Sequence, residues 1–405
     1  MRLRKPKVTK RGFLRGTVNV AILLFVFLIG VNLGNGRIDV YRWTHHYKTV
    51  SGNLPSSLDY SQVNTVYQSL KDNYDGKLTE QQLEDGLKHG LAESTKDPYT
   101  EYFTAAEAKQ FNQELNNSFS GIGAQLGQDS DGNLEIIAPI DGLPADKAGL
   151  MAKDIIASIN GQSTSGMSVD QAVNAIRGPS GTKVTLQVVR NHNQPLTFTI
   201  TRQDINLPSV KTKTLPGNIG YMQITTFADD TAALSAQAAT QFANAHVKGI
   251  VLDLRDNPGG ELNAAESVSS LWLKSGTLIL QEKRGDQVID SGNASGNDPL
   301  NGIPTVVLID AGSASASEIT AGALHDNHAA YLIGEKSYGK GVVQQLINFD
   351  DGSQLKVTIA SWYRPNGQNI NHKGITPDKA VKEPAGSTPD NDPQLQAAET
   401  YLNNK

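Results

Sequence analysis

With 405 residues, 38% of them hydrophobic and 19% charged, the chain is long enough for two or three domains, each with its own core. A net charge of −5 gives no reason to expect nucleic acid as a partner. The absence of cysteine excludes disulfides, zinc–thiolate sites and a cysteine nucleophile.

Arg2, Arg4, Lys5, Lys7, Lys10, Arg11 and Arg15 precede an apolar run from Val18 to Val31. Basic residues are retained on the cytoplasmic side, so this pattern predicts a transmembrane anchor with the remainder of the chain outside. The run reaches the length of a bilayer span only when extended from Gly16 to Gly36. A cleaved signal peptide is the rival, but no Ala-x-Ala site follows. Residues 1–36 are thus assigned to tail and anchor, and the polar and aromatic residues 37–57 to a stalk.

Residues 58–115 read as helical. Val63, Val66, Tyr67 and Leu70 recur at three- and four-residue steps. Thr79 with Gln82, and Thr104 with Glu107, have the spacing of capping boxes. From 116 to 205, glycine-rich turns separate the strand-like runs Leu134–Ala138, Ile155–Ile159, Val184–Val189 and Leu196–Ile200, with short helices at Ala145–Ala148 and Val169–Ile176. Residues 206–382 alternate strands (Ile219–Ile224, Gly249–Leu254, Thr305–Asp310, Ala330–Gly334) with helices (Asp230–Ala245, Leu262–Leu273, Ala316–His328). That alternation predicts an α/β core with mainly parallel strands and sites at their carboxyl ends. Residues 383–405 form a polar tail with a helix at Gln394–Leu402.

Two strand ends carry candidate chemistry. Gly312-Ser313-Ala314-Ser315-Ala316-Ser317-Glu318 opens a helix, where free N–H groups favour negative charge and a serine could attack a carbonyl. Ser315 and Glu318 are also spaced as a capping box. Asn257-Pro258-Gly259-Gly260 is a turn whose N–H groups could receive an oxyanion. In Ser337-Tyr338-Gly339-Lys340-Gly341, the flanking glycines allow backbone to pack closely around a lysine. Such a lysine is a base only if burial strips its proton.

Together these segments resemble the carboxyl-terminal processing peptidases, or tail-specific proteases. The matches are Ser313–Ile319, Tyr338–Gln345, and Asp253-Leu254-Arg255 followed by Gly259-Gly260. Asp97–Phe103, Phe119–Ala124 and Gly374–Asp378 extend the likeness over about residues 58–402. The resemblance implies a multidomain α/β and α+β fold, with a helical N-terminal segment, a PDZ domain and a ClpP/crotonase-like serine protease core. It implies a Ser–Lys dyad with the lysine 25 positions after the serine, which selects Ser315 and Lys340. Gln344, four residues on, would orient the lysine, since residues 340 and 344 share a face of an extended strand. Oxyanion donors fall on Ala316 and on one glycine of the 259–260 pair, with Gly260 favoured.

For the middle domain the resemblance implies peptide binding by strand addition, with the peptide carboxylate held by Gly121, Ile122, Gly123 and Ala124. Arg177 lies where a peptide-sensing arginine would sit. The implied activity is a membrane-anchored extracytoplasmic serine endopeptidase that cleaves exposed C-terminal segments and is gated by its PDZ domain. No metal or cofactor is implied. Partners would be protein or peptide substrates and the membrane; a homodimer and a regulatory partner are both compatible with it. The alternative is an inactive, membrane-tethered PDZ scaffold. Gly334–Lys340 approaches a phosphate-binding loop, but Gly341 stands where that motif needs Ser or Thr. A Ser–His–Asp triad would have to use His325, His328 or His372, and the first two lie too far along the helix that Ser315 starts.

Overall fold

A computed structural model describes residues 54–55, 57–129, 131–191, 193–384 and 391–405, with Asp170 described by its backbone alone. The expected anchor and almost all of the expected stalk lie outside the described residues. Among the described residues no helix is long and apolar enough to cross a membrane. The chain divides into two compact units, Met1–Gly76 and Lys77–Lys405. The first contributes helix α1 (Ser61–Asn73), none of whose residues is buried. Its apolar positions Val63, Val66, Tyr67 and Leu70 are exposed.

The second unit opens with α2 (Glu80–Glu93), β1 (Glu101–Phe103) and α3 (Ala105–Leu115). Both capping boxes form: Thr79 with Gln82 starts α2, and Thr104 with Glu107 starts α3. The expectation of an all-helical segment needs correction at β1. Pro98 disfavours helix just before it, and Tyr102 and Phe103 are buried instead in a sheet.

The middle module comprises β2 (Ser118–Gly121), β3 (Ala124–Gln128), β4 (Leu134–Pro139), α4 (Pro144–Lys147), β5 (Ile155–Ile159), β6 (Gln162–Ser163), α5 (Val169–Ile176), β7 (Lys183–Arg190), β8 (Gln194–Thr201) and β9 (Gln203–Asn206). Its sheet runs β3-β4-β5-β7-β8, with β6 on β5, while β2 and β9 form a separate ribbon at the root. Alternate residues such as Val184, Leu186 and Val188 bury one face with Ile136, Ile156 and Ala172. β3 is an edge strand, and α5 packs beside it. Asp154, fully buried, is held by two bonds from Arg190 (2.7 Å each) and the Met151 N–H (2.9 Å).

The remainder carries β10 (Val210–Leu215), β11 (Ile219–Ile224), α6 (Thr231–Asn244), β12 (Gly249–Asp253), α7 (Leu262–Ser269), β13 (Leu278–Arg284), β14 (Gln287–Asn293), β15 (Thr305–Ile309), α8 (Ala316–Asp326), β16 (Tyr331–Gly334), β17 (Val342–Asn348), β18 (Gln354–Tyr363), β19 (Lys379–Ala380) and α9 (Pro393–Asn403). The main sheet runs β10-β11-β12-β15-β16-β19 and is parallel apart from β10. β12 and β15 are wholly buried, as a parallel sheet covered on both faces requires. Because they pair in parallel, the turns that follow them emerge side by side. A second sheet, β1-β18-β13-β14 with β17 on β18, is antiparallel. The helix expected through Leu273 stops at Ser269, where the hydroxyls of Ser269 and Ser270 bond back to the carbonyls of Ala265 and Glu266.

Removing one partner of a buried ion pair strands the other. Arg190→Ala should therefore lower the unfolding free energy of the middle module by about 3 kcal/mol in urea denaturation. An unchanged midpoint would show that Asp154 finds water or another donor.

Candidate active site

Ser315 caps α8 with φ 53° and ψ −115°, a strained conformation for a residue with a side chain. Its neighbours explain why it, of three nearby serines, is available. Ser313 and Ser317 are fully buried. The Ser313 hydroxyl donates to the Leu254 carbonyl (2.8 Å), and that of Ser317 to the Asn257 carbonyl (2.9 Å). Ser315 is only partly buried.

The Asn257–Gly260 turn abuts it. A side chain at Gly259 would come within 2.8 Å of the Ser315 Cβ, and one at Gly260 within 2.1 Å of the Phe227 carbonyl. Both glycines also have φ in the left-handed region, at 102° and 140°. The Gly259 N–H is committed to Asn257 Oδ1 (2.9 Å). Phe227 bonds to residues 259 and 261 on either side of Gly260. Among the described residues, the N–H groups of Gly260 and Ala316 meet no acceptor.

Asn257 fixes this turn, a role the sequence pattern did not reveal. Fully buried, it donates to the Ile224 carbonyl (2.7 Å) and accepts from Gly259. Its own carbonyl accepts from Ala314 N–H (3.0 Å) and the Ser317 hydroxyl.

Glu318 is the second residue whose role went unread. The spacing suggests a capping box, and its carboxylate does accept the Ser315 N–H at 2.9 Å. It also accepts the Ser337 hydroxyl (2.5 Å), the Gly339 N–H (2.8 Å) and the Lys340 N–H (2.9 Å). One fully buried carboxylate therefore ties the serine's loop to the lysine's loop. Burial pushes its pKa up, and the four donors oppose that rise. Gly339 and Gly341 are packed against backbone of residues 370–374, where a Cβ would fall within 2.7 Å of Gly374 N and 2.5 Å of Asn371 N.

Lys340 is partly buried, with its amine 5.4 Å from the centroid of the Tyr99 ring. Burial and the nearby Lys356 hold its pKa below the usual lysine value, against Glu318 and Asp97, which favour the ammonium. Gln344 lies in β17, which begins at Val342, so Lys340 falls just before the strand on which a shared face was expected. The Gln344 Nε2 is buried without a partner among the described residues. The histidines lie elsewhere. His325 contacts Asp326 and Asp378 through its two ring nitrogens (3.1 and 3.0 Å), and His372 is exposed.

Asp253 and Arg255 serve a different purpose. Arg255 bonds both Asp253 and Asp392, and Asp392 caps α9, so this stretch fastens the end of β12 to the C-terminal helix. In the middle module, Gly121–Ala124 joins β2 to β3. The carbonyls of Ile122 and Gly123 accept from Ala145 and Ile140, while their own N–H groups meet no acceptor among the described residues. Arg177 lies over Phe119, 5.1 Å from the ring centroid.

An α/β core with a strained serine at a helix entrance, joined to a PDZ domain, is that of a serine protease. Residues 218–381 match the model of peptidase family S41, and residues 110–189 that of the PDZ domain. The chain is 38% identical over 344 residues to the carboxy-terminal processing protease CtpA of Bacillus subtilis, covering 84% of this chain and 72% of that one. It is 36% identical over 328 residues to CtpB of the same organism, covering 80% and 68%. A solved Bacteroides fragilis structure assigned to the S41 proteases shares the fold, with a TM-score of 0.55 at 18% identity, covering 87% of this chain and 99% of that one. The chain belongs to peptidase family S41, as a carboxy-terminal processing serine protease carrying a PDZ domain.

Glu318→Ala would leave four donors without their acceptor, each orphan costing about 1–3 kcal/mol. Glu318→Gln keeps the volume but turns an amide towards N–H groups. The glutamine variant should fold, as judged by circular dichroism, yet hydrolyse a reporter peptide at least ~100-fold more slowly, the scale set by small misplacements of reacting groups. Wild-type rates would separate this carboxylate from function.

Proposed function

We propose that Ser315 is the nucleophile and Lys340 the general base of a Ser–Lys dyad. The observation that carries this reading is the convergence of both loops on Glu318, which accepts N–H bonds from the two residues themselves. Burial keeps the lysine amine more readily neutral. It takes the Ser315 hydroxyl proton as the oxygen adds to the scissile carbonyl. The developing oxyanion is received by the N–H groups of Ala316 and Gly260. The resulting ammonium returns its proton to the leaving amine, giving an acyl-enzyme. Lys340 then activates water, which cleaves the ester and restores the serine. Gln344 is assigned an orienting role in the working state, where its unpartnered amide would find a place.

The PDZ domain would take a substrate's C-terminus as an added strand on the edge β3, its carboxylate received by the N–H groups of Gly121–Ala124. Gating by that domain is supported by its root. Asn117, just before β2, exchanges two 3.1 Å bonds with Leu207 and lies 3.5 Å from the Thr225 hydroxyl. Thr225 in turn leads directly to the Phe227 segment stitched to the oxyanion turn. The basic N-terminus and its apolar run support a single membrane anchor with the protease outside the cytoplasm. Exposed C-terminal segments of extracytoplasmic proteins are the substrates this reading supplies.

Ser315→Ala and Lys340→Ala should each reduce kcat/KM for an unfolded protein by at least ~1,000-fold. In the wild-type protein kcat/KM should rise with pH as Lys340 loses its proton, with the rise below that of an exposed lysine because the lysine's pKa is lowered. Equal cleavage by wild type and Ser315→Ala would leave only the tethered PDZ scaffold.

A further inference from the structure

Residues 97–103 lie in neither matched domain, yet they form one wall of the site. Asp97 folds the segment into a turn, accepting the Tyr99 N–H (3.1 Å) and the Thr100 hydroxyl (2.7 Å). The Thr100 oxygen accepts the Thr358 N–H of β18 (3.1 Å), and Glu101–Phe103 then pairs with β18 from Lys356 to Gln354. This docking sets the Tyr99 ring beneath the Lys340 amine.

The same segment immobilises a second lysine. Lys356 bonds Glu101 (2.9 Å), and its amine lies 4.9 Å from the Phe103 ring centroid and 5.1 Å from that of Phe111. Three groups hold a long side chain that would otherwise be free on a strand. The charges that act on Lys340 are Glu318 of α8 and Asp97 of the segment before β1, which favour its ammonium, and Lys356 of β18, which disfavours it, while the Tyr99 ring lies against its amine. Tyr338, on the lysine's own loop, faces Tyr99.

We propose that this N-terminal segment is part of the proteolytic machinery: Asp97, and Lys356 held by Glu101, Phe103 and Phe111, are opposed positioning charges on Lys340, with Tyr99 as its platform. The inference rests on Lys340 being the base. Asp97 favours the ammonium and Lys356 disfavours it, so the segment supplies one charge and fixes the other. Burial pushes the Asp97 carboxyl up, but bonds from Thr358, Thr100 and Tyr99 outweigh it and keep the group anionic.

The test is the pH dependence of kcat/KM in the full-length chain, with a reporter peptide lacking ionisable side chains. Asp97→Asn removes the charge that retains the lysine's proton, so its ascending limb should move roughly one pH unit lower. Lys356→Met keeps the apolar stem between the two rings and removes the repulsion, so its limb should move higher by a similar amount. A merely structural role would depress both rates without moving the limbs in opposite directions. Limbs that stay in place, or move together, overturn the inference while Lys340→Ala remains inactive. A Lys340→Ala variant at wild-type rate would overturn the Ser–Lys reading and this inference with it.

Discussion

Four hydrogen bonds to one buried carboxylate organise this site. Glu318 sits at the third position of α8, fully buried, where an unpaired carboxylate would be costly. It is kept there by donors from both chain segments that matter: the Ser315 N–H on one side, and the Ser337 hydroxyl with the Gly339 and Lys340 N–H groups on the other. Neither segment can move alone without orphaning a buried donor or acceptor. The sequence separation of serine and lysine is thereby converted into a fixed spatial relation. The same logic governs the Asn257–Gly260 turn, where Asn257 uses side chain and carbonyl together to hold Gly259, Ala314, Ser317 and the end of β11.

These two hubs also explain the limits of what the sequence discloses. The wholly apolar strands β12 and β15 and the capped helices are legible because their periodicity and caps are local properties. Ser315 and Lys340 are legible because they stand in motifs. Glu318 has the spacing of an ordinary helix cap, and nothing local separates a cap that satisfies one N–H from one that also holds a distant loop. Asn257 lies between Asp256 and Pro258, where a turn residue is unremarkable. The second sheet escapes for another reason. β13, β17 and β18 are half-buried and interrupted by register shifts, so their alternation is weak, and β1 is strand only because it pairs with β18 more than 250 residues away. Lys340 itself precedes β17, which begins at Val342, so strand alternation alone does not fix its face relative to Gln344.

The PDZ domain and the protease core share backbone contacts. The ribbon β2–β9 roots the PDZ domain beside Asn117, and Asn117 contacts the segment leading to Phe227 and the Asn257–Gly260 turn. The lysine is bounded by three parts of the chain: α8, β18 and the N-terminal segment. Charges of both signs act on it, and burial is the largest influence holding its pKa below the usual lysine value.

The central claim is that the Lys340 amine, set over the Tyr99 ring, gives up its proton more readily than a lysine in water. Nuclear magnetic resonance of the Ser315→Ala protein with isotope-labelled lysine side chains measures this directly, with Lys340 identified by its absence from the spectrum of a Lys340→Arg variant. The account predicts one lysine signal titrating clearly below the exposed lysines, whose midpoint lies at about 10.4. A Lys340 signal that titrates together with the exposed lysines would contradict it.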